Sequence, residues 1–298
     1  MKKFFAGILF LLTGMNAYPC DACGVASTGG YIGILPQFTR HFVGIRYQYR
    51  YFNSSSITKP GGRNTEHYHT WNLMGRISPH KRVQVLLNAP LHYFEQIDGN
   101  VRRDLISPGD ITALCMYQAV RSPDSSVKKI RQSLLVGGGI KLPTGRYNIY
   151  DANGYYDRNL QPGTGSWDFL IAAQYTARWK GWGFNAEANA RINTLNPDNY
   201  LYGHKLSAQA KGFYWGQAKT FSFLATVGLG YDYSGKDIYL HQSVLNSGGH
   251  MLSASTSFDF YIKRWVLGAE FRMPAWYQLS GGLLNPGPQV MSQLMFMF

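Results

Sequence analysis

From Val43 the chain repeats with a period of two: Val43, Ile45, Tyr47, Tyr49 and Tyr51 share one parity, and Gly44, Arg46, Gln48 and Arg50 the other. Successive side chains of an extended strand point to opposite faces, so the run reads as a strand with one apolar and one polar face. The pattern returns down the chain. Phe184, Ala186, Ala188 and Ala190 alternate with Asn185, Glu187, Asn189 and Arg191, and Trp265, Leu267, Ala269 and Phe271 alternate with Gly268, Glu270 and Arg272. Twelve such runs are read, near 42–53, 66–78, 82–94, 109–120, 132–142, 167–179, 183–194, 204–215, 220–233, 251–262, 264–274 and 289–298. At about 10–13 residues each they exceed the usual strand of a soluble sheet and suit a tilted membrane crossing.

The connections alternate as well. Short turns follow strands two, six, eight and ten, as at Ser78–Lys81 and Lys263–Arg264, with Arg121–Arg131 a longer exception. Longer stretches rich in Gly, Asn, Ser and Pro follow the odd strands: 54–65, 95–108, 143–166, 195–203, 234–250 and 275–288. Short turns on one side and long loops on the other are the build of an outer membrane barrel. Aromatic residues gather near strand ends (Tyr49, Tyr51 and Phe52; Tyr93 and Phe94; Trp179 and Trp182; Tyr214 and Trp215; Trp276 and Tyr277) and are expected to form interfacial girdles. A terminal Phe298 after Leu294 and Phe296 looks like a signal for outer membrane assembly, which makes the barrel-assembly machinery and outer membrane lipid expected partners. The fold class that follows is all-β: a transmembrane antiparallel up-and-down barrel of about twelve strands. A mean hydropathy of −0.22 excludes a bundle of membrane helices, each of which needs about 20 apolar residues.

The chain divides into three parts. Lys2 and Lys3, the apolar run Phe4–Leu12 and the small Ala17 read as a secretory signal peptide over 1–17. Residues 18–40 read as a periplasmic segment and a candidate plug, and 41–298 as the barrel. The early segment carries Cys20 and Cys23, spaced for either a disulfide or half of a metal site; two thiolates fill only part of a tetrahedral shell. No other cofactor is indicated. Cys115 shares the outward parity of Ala113 and Tyr117 and reads as a small apolar residue. His67 and His69 lie on one strand face with Trp71, and read as headgroup-zone residues rather than ligands.

Three short motifs stand out: Gly109-Asp110 before the fourth strand, Lys141-Leu142-Pro143-Thr144-Gly145 at the end of the fifth, and Pro162-Gly163-Thr164-Gly165-Ser166-Trp167-Asp168 opening the sixth. With the entry Gly33–Phe38 and Val43–Tyr47, they resemble outer membrane proteins of the phenol-degradation MetA-pathway type, in a branch with an N-terminal cysteine pair. The resemblance covers most of the mature chain. It implies a barrel and a transport role for hydrophobic compounds, and names no substrate.

By parity the lumen is expected to hold Arg46, Arg50, Arg76, Asp168, Arg178, Glu187, Asn189, Arg191, Glu270 and Arg272. Rings of basic side chains favour anionic or polar solutes, against the hydrophobic compounds of the resemblance. The net charge of +13 is scattered singly, without the patch that nucleic-acid binding needs. No catalytic constellation is readable, so an enzyme is not expected. The reading is a passive channel for small solutes, hydrophobic or anionic. The alternatives are a metal-handling barrel using Cys20 and Cys23, and a barrel enzyme. The oligomeric state is left open.

Overall fold

The computed structural model describes residues 41–55, 63–98, 101–122, 130–151, 154–155 and 158–298. The expected signal peptide, the segment 18–40 and the pair Cys20 and Cys23 lie outside them. Twelve strands form the wall: β1 (Phe42–Ser55), β2 (Arg63–His80), β3 (Val83–Asp98), β4 in two segments (Val101–Pro108 and Thr112–Arg121), β5 (Arg131–Lys141), β6 (Asp168–Trp179), β7 (Trp182–Ile192), β8 (Lys205–Gln217), β9 (Ser222–Ser234), β10 (Gly249–Ile262), β11 (Trp265–Leu279) and β12 (Gln289–Met297), the last preceded by a short Leu284–Pro286 lead-in. Each strand pairs antiparallel with the next, and β12 returns to β1 in register from Phe42↔Met297 to Tyr49↔Val290. The ring of strands therefore closes on itself, the condition for crossing a bilayer with strands.

Period-two alternation sorts the side chains. Val43, Ile45, Leu73, Val227, Leu229 and Phe258 are exposed on the outer wall, while their strand neighbours are buried or half-buried on the inner one. Exposed apolar residues in such numbers belong in lipid, where burying them costs nothing. Ala188 faces out and Asn189 in. Cys115 is exposed on the outer face. His67 and His69 also face out, each joined through Nδ1 to a tyrosine hydroxyl of β1, Tyr49 and Tyr47, at 2.8 Å.

Two expectations need correction. Residues 95–108 are not a loop: β3 runs to Asp98 and pairs with Val101–Pro108 of β4. Charged and apolar residues mix on both faces there, Arg102, Asp104 and Ile106 on one and Arg103 and Leu105 on the other, so apolar alternation fades although the ladder continues; Arg102 Nε meets Glu95 Oε1 at 2.8 Å. Three expected girdle aromatics, Phe52, Phe94 and Trp215, are buried on the inner face instead. Proximity to a strand end placed them in the girdle, but parity places them in the lumen. Trp179, Trp182 and Trp276 are exposed on the outer wall.

Candidate functional site: the loop across the barrel mouth

The loop between β5 and β6 starts where Pro143 stops the ladder after Lys141. Lys141 is 2 % exposed and its Nζ lies 2.7 Å from Asp110 Oδ2 and 2.8 Å from Asp168 Oδ2, the second as an ion pair off the hydrogen-bond direction. Asp110 also accepts from the backbone N–H groups of Gly145 (2.9 Å) and Thr164 (3.0 Å) and from the Thr164 hydroxyl (3.1 Å). Lys141 Nζ donates to that hydroxyl as well. Asp168 Oδ1 takes the Ser166 hydroxyl at 2.9 Å and the Thr194 N–H at 3.1 Å. The three sequence motifs thus meet in one place and close the root of the loop. A buried cation satisfied by two carboxylates, which are in turn satisfied by backbone donors, is the arrangement in which burying charge is tolerable. Two glycines make the approach close enough: a Cβ on Gly163 would stand 2.4 Å from Gly145 O.

From this root the loop enters the mouth. Its short 3-10 turn Arg158–Leu160 puts Leu160, 1 % exposed, into an apolar cluster with Phe52 (β1), Tyr68 (β2), Phe94 (β3), Met251 (β10), Leu279 (β11) and Leu284 before β12, with Leu105 of β4 and Ile149 beside them. The loop is anchored between β5 and β6, and in the ring of twelve strands β12 and β1 stand nearly opposite. Leu160 therefore reaches across the lumen. The neighbouring Arg158 lies over the Tyr200 ring at 4.0 Å and the Tyr239 ring at 5.6 Å. The hydroxyl of Tyr200 donates to Asp237 Oδ2, and the Gly203 N–H donates to Oδ1 at 2.7 Å. Three extracellular loops are joined in this way over the mouth. Burial raises the Asp237 carboxyl above the ordinary carboxylate range, opposed by the Tyr200 and Gly203 hydrogen bonds and by Lys205 and Arg158. Burial next to Asp237 raises the Tyr200 phenol too.

Below the cluster the inner wall is polar over β7–β12 and β1, while Leu86, Leu114, Met116, Leu135, Leu170 and Ala172 form an apolar cluster on β3–β6. Arg50 lies over Tyr68 at 5.7 Å. Arg46 Nη2 donates to Gln293 Oε1 at 3.1 Å, and Gln293 Nε2 donates to Asp259 Oδ1 at 2.8 Å. Lys211 meets Glu270 at 2.9 Å and Arg272 meets Asp232 at 3.3 Å. Glu187 accepts from Asn189 at 2.7 Å and Gln209 at 2.9 Å. Arg191 is buried on the same face. Towards the periplasm the wall turns apolar again, with Phe42, Met74, Val266, Met295 and Met297 in one cluster and Phe213, Trp215 and Leu224 in another.

Each residue expected in the lumen has inward parity, but they do not act as one ring. Asp168 belongs to the loop root. Arg178 Nε caps the tight turn at Lys180 O, 2.8 Å away, beside Trp215. Arg76 lies over Phe42 at 4.9 Å at the periplasmic end. Arg46, Arg50, Glu187, Asn189, Arg191, Glu270 and Arg272 line the middle. Glu66, Asp110, Asp232 and Asp259 are buried inward with them, so basic groups do not dominate as the arginines alone suggested. The apolar mouth cluster and Leu160 escape a sequence reading. The one signal is that Phe52, Tyr68 and Phe94 share the parity of the polar face.

Compared by sequence, the chain matches no protein-family model and no curated protein. Compared by structure, it is similar to a crystal structure of an outer membrane channel from Pseudomonas putida F1, with a TM-score of 0.67 and 14% identity over 87% of this chain and 95% of that one. The translocator domain of the autotransporter NalP from Neisseria meningitidis aligns at a TM-score of 0.48 and 9% identity, over 89% of this chain and 91% of that one. The likeness is one of fold: the chain is a twelve-stranded β-barrel of the Gram-negative outer membrane type.

Proposed function

We propose that the protein is a passive outer membrane channel for small solutes. The observation that carries this reading is the closed barrel whose inner wall, midway, carries polar and charged side chains over β7–β12 and β1, facing an apolar stretch on β3–β6, with an extracellular loop across its mouth. A lipid-facing wall needs no such lining, whereas a water-filled path does. The charges there are spent on one another, as Lys211 on Glu270 and Arg272 on Asp232, and not gathered into a nucleophile and base. This supports transport over catalysis. The structural likeness to an outer membrane channel points the same way. The convergence of Gly109-Asp110, Lys141–Gly145 and Pro162–Asp168 supports extending the reading to the phenol-degradation MetA-pathway type, because the motifs that suggested it form one built unit. Lys211 with Glu270 and Arg272 with Asp232 pair opposite charges on the inner wall, so the channel is proposed to select weakly by charge sign.

Purified protein in a planar bilayer tests this. Folded barrel, identified by heat-modifiable migration on a gel, should conduct, and under a potassium chloride gradient its reversal potential should lie near zero. Folded protein that neither conducts nor permits solute-driven swelling of liposomes would sink the channel reading. A strong anion preference would restore the picture of a basic ring.

A further inference from the structure

We propose that Leu160 is the gate of this channel and sets what passes: the path opens when Leu160 leaves the mouth cluster, and the contact of Arg158 with Tyr200 and Tyr239 holds it in place. The proposal rests on the channel reading above. Leu160 belongs to no wall strand, yet at 1 % exposure it is as buried as the wall residues it touches. Those partners come from β1, β10 and β11 and from the lead-in to β12, across the lumen from its own anchor, and from β2 and β3 to one side. A side chain that crosses the lumen to pack against the far wall obstructs it. The obstruction is apolar, and an apolar constriction excludes water and ions by dewetting without needing to fill every gap.

The means of release lie in the same loop. The root is fixed by Lys141, Asp110 and Asp168, while the tip contributes Leu160 to an apolar cluster and sets the Arg158 guanidinium over two rings. Non-directional contacts of this kind can be exchanged for contacts with a passing solute, since any apolar surface entering the cluster replaces what Leu160 gives up. The root carries no such exchangeable contact. The tip is therefore the element that moves, and the root the point about which it moves.

The experiment records macroscopic conductance in planar bilayers for the wild type, Leu160→Ser, Arg158→Ala and a control, Leu245→Ser. Leu245 is 79% exposed in another extracellular loop and touches no part of the cluster. Heat-modifiable migration confirms folding of each preparation. Leu160→Ser should raise conductance about tenfold or more, the change in a two-state equilibrium that follows from losing one buried leucine. Arg158→Ala, which leaves the cluster intact, should raise it less, and Leu245→Ser should leave it unchanged. Equal conductance in all four would overturn the gate while the channel stands. Absence of conductance in all four folded proteins would overturn the channel reading and the gate with it.

Discussion

The root and the tip of the β5–β6 loop are held by opposite physics. At the root a buried lysine is shared by two carboxylates, with hydrogen bonds of fixed direction and two glycine backbones in contact. At the tip a leucine and an arginine rest on rings and methyl groups. Directional contacts define one geometry and fail as a unit, because removing one partner strands the others in a medium that cannot solvate them. Apolar contacts tolerate substitution and displacement. The difference teaches how one loop can be both rigidly placed and able to yield.

The comparison breaks most sharply at Lys141. Lys141→Met leaves Asp110 and Asp168 buried without their cation, which should cost about 3–5 kcal/mol. Thermal unfolding of the barrel in detergent checks it; a variant as stable as the wild type would mean that the root is not a charge-bound unit. Gly163→Ala is the next largest. The added methyl would meet Gly145 O at 2.4 Å, a backbone atom that cannot rotate away, and the overlap should cost about 1–3 kcal/mol. The effect should appear in the same melting measurement, and an unchanged midpoint would show that the two backbones have room to part.

The smallest effect sharpens the tip. The Asp237 carboxyl, raised by burial, keeps its proton in the folded cap at a pH where the unfolded chain has lost it. Its contribution is therefore full below the ordinary carboxylate value of about 4 and is lost as pH rises through the raised value. Hydrogen-exchange protection of residues 193–204, corrected for intrinsic rates, should fall over that rise by an amount that Asp237→Asn removes. A wild-type profile as flat as that of the variant would show that the carboxyl does not titrate with the cap.

Much of the wall was legible from residue types alone. The run Phe184–Asn193 states its two faces openly, because alanines meet lipid and amides meet the lumen. The β3–β4 hairpin was not legible: once charged and apolar residues mix on both faces, the period-two signal vanishes while the backbone ladder persists. Phe52, Phe94 and Trp215 misled for the converse reason. Their types suit a membrane interface, and only counting parity from the polar residues Arg50, Gln96 and Lys211 turns them inward. At the site, Asp168 was found by parity, but its partner Lys141 was read as a strand end and Asp110 as part of a motif before the fourth strand. They lie 27 and 58 residues away from Asp168 in the chain, and nothing local marks them as a set.

By itself the sequence determined which face of most strands meets lipid, how many strands cross, and that short and long connections alternate. Those are consequences of a two-residue period and of turn chemistry, both of which act between near neighbours. Only the tertiary structure decided that the sheet closes from β12 to β1, that three separated motifs form one charged root, and that Leu160 lies across the mouth. Each of these joins residues far apart in the chain, and the free energy that selects them comes from burying groups together. A period in the sequence tells which way a side chain points, but not what it meets.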